Sequence, residues 1–518
     1  MHLIIHSPDK VARSFEVAAG ASLIDVLKDA GETVVAPCGG AGTCKRCQVL
    51  VRDRTGMSHR LACQTPAEDG QEIILKNLDA MHIEGADRAH ANDLAESTTT
   101  AARPCAEASS LGIAVDIGTT TMAAYLVDLA TGQVIGTAGK VNPQATYGGD
   151  VIARIEAAAQ PSGMTALCSL LRIAIDQMIA TLCQQAAINP SNVERLVVVG
   201  NTVMEHFAAG LNPGPIGTAP FTPPSLFGTS IELCKTAESA SKKAYLAPAI
   251  AGYVGGDITA GLHAAGMADR EQLQLFIDIG TNGEMALGNR DLMICCATAA
   301  GPAFEGASIA LGMPALPGAV CAVRLTRQTL LVDTIDNAPA LGICGSGLLD
   351  AIACLLAAGL VDETGRMALP GEAERPLSHL LGTVQGQAAC YLDIERNIYV
   401  TQDDVRHVQL AKAALRAGAE TMLTEMGATC DDIGELALAG GFGMRMNPTS
   451  AAQIGLFPPA LANRVRQLGN AAGQGAVAAL FNEGRSSIER IARTCTYLEL
   501  SSSSAFSEHY LDAMGFDD

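Results

Sequence analysis

The chain has 518 residues, which at roughly 150 residues per domain predicts about three domains, each able to bury a core without disulfides. Its 34 Lys and Arg residues against 54 Asp and Glu residues leave a net charge of −20. Such a surface repels nucleic acids and anionic membranes, so we expect neither as a partner. Hydrophobic residues make up 48% of the chain, which excludes wholesale disorder, and no uncharged apolar run is long enough to predict a membrane span.

The cysteines are numerous and unevenly distributed. The N-terminal stretch MHLIIHSPDK lacks the basic and apolar regions of a secretory signal, so we expect a reducing, cytoplasmic compartment, where clustered cysteines indicate a metal rather than disulfides. Of the 16 cysteines, four lie within residues 38–63. The others are scattered through mostly apolar stretches, and we expect them to be small core residues.

Residues 1–78 are predicted to form a small α+β domain. The segments LIIH and FEVAAG predict a hairpin, SLIDVLKDAG predicts a helix with a Ser cap and a Gly stop, and CQVLVRD and EIILKNL predict two further strands. Residues 79–110 are rich in Ala, Ser and Thr and predict a flexible linker. The alternative is that the first half of this segment packs against a neighbouring domain.

The cysteine cluster has a characteristic spacing. It follows the pattern C-x5-C-x2-C, then 15 residues, then C, and consists of Cys38, Cys44, Cys47 and Cys63. Zinc ribbons use two separated C-x2-C knuckles, which this loop lacks, whereas three close cysteines and a distant fourth are typical of a [2Fe–2S] cluster. The loop resembles those of adrenodoxin-like and bacterial ferredoxins, which implies a ferredoxin-like (β-grasp) domain. Structural zinc is the alternative.

From Leu111 onward, short apolar strands alternate with amphipathic helices and predict a parallel or mixed α/β sheet. The strands LGIAVDIG, RLVVVGN, QLFIDIG and ELALAGG each end in glycine. The segment LGIAVDIGTTTMAAYLVD (111–128) recurs as LQLFIDIGTNGEMALGN (273–289), with 162 residues from Asp116 to Asp278. We therefore predict a duplicated half-domain, with one subdomain at 111–272 and another at 273–518.

The two repeated turns and the later segment ALAGGFG together resemble the superfamily of acetate and sugar kinases, heat-shock chaperones and actin. Glycine at such a turn lets the backbone approach a phosphate, and an Asp at the strand end can hold Mg²⁺. The resemblance implies ATP binding by three groups of residues. These are a phosphate-1 loop (Asp116, Gly118, Thr119, Thr120), a phosphate-2 loop (Asp278, Gly280, Thr281, Asn282) and an adenosine loop (Gly440, Gly441, Phe442, Gly443).

Other polar residues have two interpretations each. Asp257, at the predicted start of a helix, occupies the place where chaperone and actin relatives position the attacking water, and the alternative is a plain helix N-cap. Glu305 is a candidate ribose contact, and Asp150 lies at another predicted helix start. His206 is more easily explained as a packed histidine than as a base.

The combination of the two parts resembles the reductive activators of corrinoid proteins, on the strings GNTVMEHF, DIGTNGE, TAAGPAFEG, GICGSGLLD and LALAGGFG. The resemblance implies ATP-dependent transfer of one electron from the cluster to Co(II) of a corrinoid protein, which regenerates Co(I) in a methyltransferase system. It also implies an upstream low-potential electron donor and leaves room for a homodimer. The alternative is a cluster-containing, redox-sensing ATPase or kinase-like regulator.

Overall fold

The computed structural model describes residues 2–7, 12–18, 20–32, 34, 47–53, 56–75, 110–233, 243–306, 308–327, 329–372 and 377–516. The chain divides into two compact units, whose described parts meet between Leu246 and Ala247 in the sequence. Apart from Ser110, the predicted linker at 79–110 lies outside the described residues. Each unit is described below by itself.

The N-terminal region forms the predicted α+β domain, and its five-stranded sheet has the order β2-β1-β5-β3-β4. The central strands β1 and β5 are parallel, whereas β1–β2 and β3–β4 are antiparallel pairs. The strands are β1 (His2–His6), β2 (Arg13–Glu16), β3 (Gln48–Asp53), β4 (Gly56–Leu61) and β5 (Glu72–Ile74). Helix α1 (Leu23–Asp29) begins after Ser22, whose side chain accepts the Asp25 N–H, and is followed by Gly31 at φ 72°.

The rest of the first unit is built on a mixed six-stranded sheet of order β10-β11-β9-β6-β7-β8. Its strands are β6 (Leu111–Ile117), β7 (Thr121–Asp128), β8 (Val134–Val141), β9 (Val193–Gly200), β10 (Thr229–Glu232) and β11 (Lys243–Leu246). Its helices are α2 (Val151–Ala158), α3 (Pro161–Gln185) and α4 (Thr202–Ala209). Strand β6 is buried along nearly its whole length, as its apolar sequence predicts.

The second unit contains a six-stranded sheet of order β22-β21-β12-β13-β14-β23. Its strands are β12 (Leu273–Ile279), β13 (Gly283–Gly288), β14 (Met293–Thr298), β21 (Ile433–Ala439), β22 (Val465–Gly469) and β23 (Cys495–Tyr497). In both large sheets the first strand of the repeat is parallel to a later strand and antiparallel to the next one, which confirms the predicted duplication.

Two three-stranded sheets and eight helices complete the described part of the second unit. The sheet of order β16-β15-β17 is mixed, and the sheet of order β18-β19-β20 is antiparallel. The strands are β15 (Ala319–Leu325), β16 (Leu330–Thr334), β17 (Gly342–Ile343), β18 (Leu381–Val384), β19 (Gln387–Asp393) and β20 (Ile398–Thr401). The helices are α5 (Gly256–Ala265), α6 (Gly345–Ala357), α7 (Gln402–Met426), α8 (Gly440–Gly443), α9 (Pro448–Gln453), α10 (Ala471–Ala478), α11 (Asn482–Thr494) and α12 (Ser504–Asp512).

Helix α5 lies in the second compact unit. It packs closely against α10, because a Cβ added at Gly475 would stand 2.1 Å from the Ala260 carbonyl oxygen. It also faces β12, where a Cβ at Gly261 would stand 3.0 Å from Phe276 Cζ. Glycine at both contacts brings the backbone of α5 close to its neighbours.

By length and composition alone, helix α3 (Pro161–Gln185) would be long enough to cross a membrane, although 56% of its most apolar window is buried within the protein. The helix carries Arg172 and Asp176, whose Nε and Oδ2 atoms are 3.1 Å apart. Its buried face, which includes Leu171, Ile175 and Met178, belongs to the core of the first unit. It therefore packs as a core helix.

The scattered cysteines are mostly core residues, as predicted. Seven of those described outside the cluster region are buried, namely Cys168, Cys183, Cys295, Cys296, Cys344, Cys390 and Cys495. Burial raises the pKa of Cys390 to about 12, so this thiol stays protonated at neutral pH. A protonated, buried thiol behaves as a small apolar side chain.

Candidate functional site

Two of the four predicted cluster ligands lie within the described residues and converge. The Sγ atoms of Cys47 and Cys63 are 3.2 Å apart, which is too long for a disulfide bond. Cys47 is fully buried at the start of β3, whereas Cys63 is partly exposed in the turn after β4. Cys38 and Cys44 lie outside the described residues. The described pair thus offers two soft donors at one end of the sheet, as a cluster requires.

The phosphate-1 loop follows strand β6 and is tightly closed. A Cβ added at Gly118 would stand 2.6 Å from the Thr121 carbonyl oxygen, so any side chain there would force the backbone to move. Asp116 lies near the end of β6, where its backbone is paired with Val199 of β9 and Ala123 of β7. The loop therefore places a carboxylate, two threonines and a compact glycine turn at one edge of the sheet.

A segment after β8 supports this loop from behind. The Asn142 side chain donates Nδ2–H to the Gly118 carbonyl at 2.8 Å, and the Asn142 backbone N–H donates to the Thr120 carbonyl at 2.9 Å. The Arg154 guanidinium donates through Nη2 to the Thr119 carbonyl at 2.6 Å. Sequence reasoning singled out Asp150 in this segment and missed both of these residues. The structure makes Asp150 the N-cap of α2, where it accepts the Ala153 N–H.

His206, on helix α4, is a packed residue, as expected. It is fully buried, its Nδ1 lies 2.7 Å from the Thr202 carbonyl, and its Nε2 accepts the Ser225 N–H at 3.2 Å. One neutral tautomer satisfies both contacts. Burial lowers the pKa of His206, against the opposing effect of the Thr202 hydrogen bond.

The phosphate-2 loop and the adenosine loop meet at neighbouring strand ends. Strands β12 and β21 are parallel, and their register pairs Asp278 with Ala439, so the residues that follow each strand lie at the same edge. Gly440 has a φ of 85°, and a Cβ there would stand 2.7 Å from Asp278 Oδ1. Only glycine suits both the left-handed backbone and this approach to the carboxylate.

Three carboxyl groups gather near this edge. Glu284 is paired with Asp278 across the β12–β13 hairpin and is only 9% exposed. Burial, then the charges of Asp257 and Asp278, raise the pKa of Glu284 well above its usual value, while a hydrogen bond from the Asn282 side chain opposes them. Sequence reasoning missed Glu284, although the two-residue period of a tight hairpin places it opposite Asp278.

The carboxyls at this edge differ in how well they suit a metal ion. Among the described residues, no group of three or more His, Cys, Asp or Glu side chains is placed to hold a metal ion by itself. Mg²⁺ is usually held by one or two carboxylates together with substrate phosphates and water. Asp257 and Asp278 carry oxygen donors of this kind, whereas the raised pKa of Glu284 favours its neutral form.

Asp257 lies in the first turn of α5 and is not its N-cap. The N-cap is Gly255, and the Asp257 carboxylate accepts the Ile258 N–H at 2.8 Å. The plain N-cap interpretation is therefore wrong, because the N-cap lies two residues before Asp257 and the helix already begins at Gly256. A carboxylate in the first turn still benefits from the positive end of the helix dipole.

Glu305 and Phe442, two further predicted site residues, contact other residues of the loop region. Thr281 donates its hydroxyl to Glu305, whose two oxygens are both 3.1 Å from Thr281 Oγ1. Glu305, expected as a ribose contact, thus lies against the phosphate-2 loop. In the adenosine loop, Phe442 stacks on Phe304 with ring centroids 4.8 Å apart. Gly345, at the start of α6, packs closely against both residues, because a Cβ there would stand 1.9 Å from the Phe304 carbonyl oxygen and 2.8 Å from Phe442 Cδ2. The adenosine loop thus packs on a pair of stacked aromatic rings.

Comparison with known families finds three matching models. The 2Fe-2S iron-sulfur cluster binding domain (Fer2) matches residues 7–68. The RACo middle region matches residues 111–270, and the C-terminal domain of RACo, the ASKHA domain, matches residues 272–518.

Individual relatives match over most of their length. The corrinoid activation enzyme RamQ of Eubacterium limosum is 29% identical over 583 aligned positions, which cover 97% of each chain. The [Co(II) methylated amine-specific corrinoid protein] reductase of Methanosarcina barkeri is 26% identical over 78% of this chain and 77% of the relative. A solved structure, the reductive activator for corrinoid,iron-sulfur protein, superposes with a TM-score of 0.70 at 29% identity and covers 99% of this chain and 98% of its own.

Proposed function

The chain belongs to the RACo family of reductive activators of corrinoid proteins, and we propose that it is an ATP-dependent corrinoid reductase. It transfers one electron from a [2Fe–2S] cluster to Co(II) of a corrinoid protein, so that the cluster is oxidised and the cobalt returns to Co(I) for a methyltransferase system. The observation that carries this function is the union, in one chain, of the cysteine-bearing β-grasp domain and the duplicated nucleotide-binding fold.

The cluster is assigned to Cys38, Cys44, Cys47 and Cys63. When bound, it supplies reversible one-electron storage. The converging thiols of Cys47 and Cys63 support this assignment from the described side of the loop. Burial of Cys47 would limit solvent access to the cluster on that side.

The nucleotide is assigned to the three loops. Gly118, Thr119 and Thr120 in the first unit, and Gly280, Thr281 and Asn282 in the second, would bind phosphate oxygens through backbone N–H groups and hydroxyls. Asp116 and Asp278 would hold Mg²⁺ directly or through water, and Asp257 would orient the attacking water. Adenosine would lie against the loop that consists of Gly440, Gly441, Phe442 and Gly443, supported by the stacked pair of Phe442 and Phe304.

The partners follow from the same assignment. We expect a corrinoid protein as electron acceptor, a low-potential donor upstream and a cytoplasmic location, where reduced thiols survive. The assignment is compatible with a homodimer and does not require one. The net charge of −20 disfavours nucleic acid and anionic membrane surfaces as partners.

The decisive experiment follows Co(II) reduction in the partner optically, with a chemically reduced protein, with and without Mg·ATP. We expect Co(I) to accumulate only with ATP, and little reduction by the Asp116→Asn or Asp278→Asn variants, whose cluster spectra should be normal. Reduction at the same rate and extent without ATP would refute the activator function. A redox-sensing regulator would instead show ATP turnover that depends on the cluster's oxidation state and no cobalt reduction.

A further inference from the structure

A fully buried arginine lies directly behind the phosphate-1 loop. Arg154, on helix α2, has none of its side chain exposed. We propose that Arg154, together with Asn142, is a positioning residue for the nucleotide, which orients the phosphate-1 loop and places a buried positive charge behind it. This inference rests on the proposed nucleotide binding and adds residues to which neither the sequence motif nor the resemblance gave a role.

Asn142 and Arg154 donate hydrogen bonds to three consecutive backbone carbonyls of the phosphate-1 loop. Asn142 Nδ2 donates to Gly118 at 2.8 Å, Arg154 Nη2 donates to Thr119 at 2.6 Å, and the Asn142 N–H donates to Thr120 at 2.9 Å. The residues that supply these donors are 22 to 35 positions away in the sequence. The loop is therefore held from one side by a separate segment of the chain.

Hydrogen bonds to these carbonyls also fix the direction of the N–H groups in the same peptide units. In a planar trans peptide the C=O of one residue and the N–H of the next point in opposite directions. When the Gly118 and Thr119 carbonyls point toward Asn142 and Arg154, the N–H groups of Thr119 and Thr120 point away from them. A row of N–H groups set in one direction is the arrangement that binds an anion.

The guanidinium is held by neutral acceptors. Its four hydrogen bonds in the described structure go to the carbonyls of Thr119 and Gly148, the Gln144 side-chain oxygen and the Met204 sulfur. Asp150 at the N-cap of α2 is near enough to favour the charged form, yet its Oδ1 accepts the Ala153 N–H. Burial lowers the pKa of Arg154 to about 9, so the group remains charged at neutral pH.

A fully buried guanidinium carries a desolvation cost that nearby anions offset, and Asp150 offsets part of it through its charge. Neutral donors could satisfy the same carbonyls, and an uncharged side chain would avoid the desolvation cost altogether. An anionic phosphate on the far side of the loop would add a second opposite charge, separated from Arg154 by about one peptide layer of low dielectric. Bound phosphate therefore gives the charge of Arg154 a role that its hydrogen bonds alone do not require.

The test measures binding of ADP with Mg²⁺, and of adenosine, to the full-length protein by isothermal titration calorimetry. The variants are Arg154→Gln, which removes the charge, and Arg154→Lys, which keeps it but loses the planar fork. The matched control is Arg172→Gln, because Arg172 is also buried in the first unit but pairs with Asp176. Thermal midpoints of all three variants report whether each one folds.

We expect Arg154→Gln to weaken ADP binding by roughly tenfold or more, as for loss of a charged hydrogen bond, and adenosine binding by less than about twofold. Arg154→Lys should lie between Arg154→Gln and the wild type, and it keeps the test decisive if Arg154→Gln fails to fold. Arg172→Gln should bind ADP as the wild type does.

Two outcomes would overturn the inference while leaving the proposed function intact. One is wild-type ADP affinity in both Arg154 variants. The other is an equal loss for ADP and adenosine, which would show a merely structural role. A wild-type protein that binds no nucleotide would instead overturn the proposed function itself, and this inference with it.

Discussion

At the scale of single residues, the groups that distinguish the two phosphate loops are buried ionisable side chains. Arg154 lies behind the first loop, whereas Glu284 lies beside Asp278 at the second. A sequence pattern can identify loop glycines and aspartates, because turn chemistry is local. It did not identify Arg154 or Glu284, because their roles depend on contacts made by distant segments or across a hairpin.

Cysteine ligation can be tested at Cys63. Its Sγ atom is 3.2 Å from that of Cys47, so Cys63→Ser removes a soft donor from the pair. We expect the visible spectrum of the [2Fe–2S] cluster to be lost or strongly diminished on purification. Cys430→Ser is the control, because Cys430 is partly exposed in the second unit. A complete spectrum in Cys63→Ser would exclude Cys63 as a ligand and make Cys105, the cysteine of the predicted linker, the next candidate.

The buried His206 should make the protein sensitive to acid. Since its folded-state pKa is lowered, the unfolded chain takes up the proton first, near pH 6.5. The stability it contributes is thus complete above that pH and is lost as pH falls through the folded pKa. Protonation would also destroy the acceptor for the Ser225 N–H.

We therefore expect the thermal midpoint of the wild type to fall more steeply between pH 7.5 and 5 than that of His206→Gln. The comparison variant is His407→Gln, at a partly exposed histidine of α7. Parallel pH profiles for the wild type and His206→Gln would contradict the prediction.

At the scale of elements, helix α5 depends on close contact with α10. Replacement of Gly475 by Ala would place a Cβ 2.1 Å from the Ala260 carbonyl, so the helices must move apart. We expect a loss of about 1–3 kcal/mol in the free energy of unfolding. ATP turnover should fall as well, because α5 carries Asp257.

The control for this variant is Gly136→Ala on β8. A Cβ at Gly136 would meet its nearest neighbour, Leu182 Cδ2, at an ordinary 3.4 Å. Its thermal midpoint and ATP turnover should stay close to those of the wild type. If Gly475→Ala also keeps the thermal midpoint and ATP turnover of the wild type, the close contact between α5 and α10 is needed for neither stability nor activity.

The elements differ in how far their sequences determine them. The strands of the duplicated halves are continuous apolar runs that end in glycine, and they lie where the pattern predicts them. Strand β4, with the sequence GMSHRL, was not predicted, because its residues are polar and its stability comes from the antiparallel partner β3.

At the scale of the whole molecule, the function requires nucleotide and corrinoid protein to influence one another. If ATP alters the affinity for the Co(II) partner, linkage requires the partner to alter ATP affinity by the same factor. We expect added Co(II) corrinoid protein to tighten binding of a non-hydrolysable ATP analogue or to stimulate ATP turnover. Calorimetry with and without the partner measures this coupling, and independence of the two ligands would contradict it.

The linker provides a second test at this scale. Deletion of about half of residues 85–108 should leave the cluster spectrum and basal ATP turnover unchanged but slow Co(II) reduction, if the cluster domain must move between donor and cobalt. Replacement of the same residues by a Gly- and Ser-rich stretch of equal length is the control and should preserve the rate. Equal rates for the shortened and full-length linkers would show that the segment is only a spacer.

Five strands follow the same order in the two large sheets, which sets Asp116 and Asp278 near the ends of equivalent strands. The surroundings of the two turns nevertheless differ, because the Arg154 guanidinium lies behind the first and the buried Glu284 carboxyl lies beside the second. The two halves are therefore not interchangeable. A chimera with two first halves would lack Glu284, and a chimera with two second halves would lack the guanidinium.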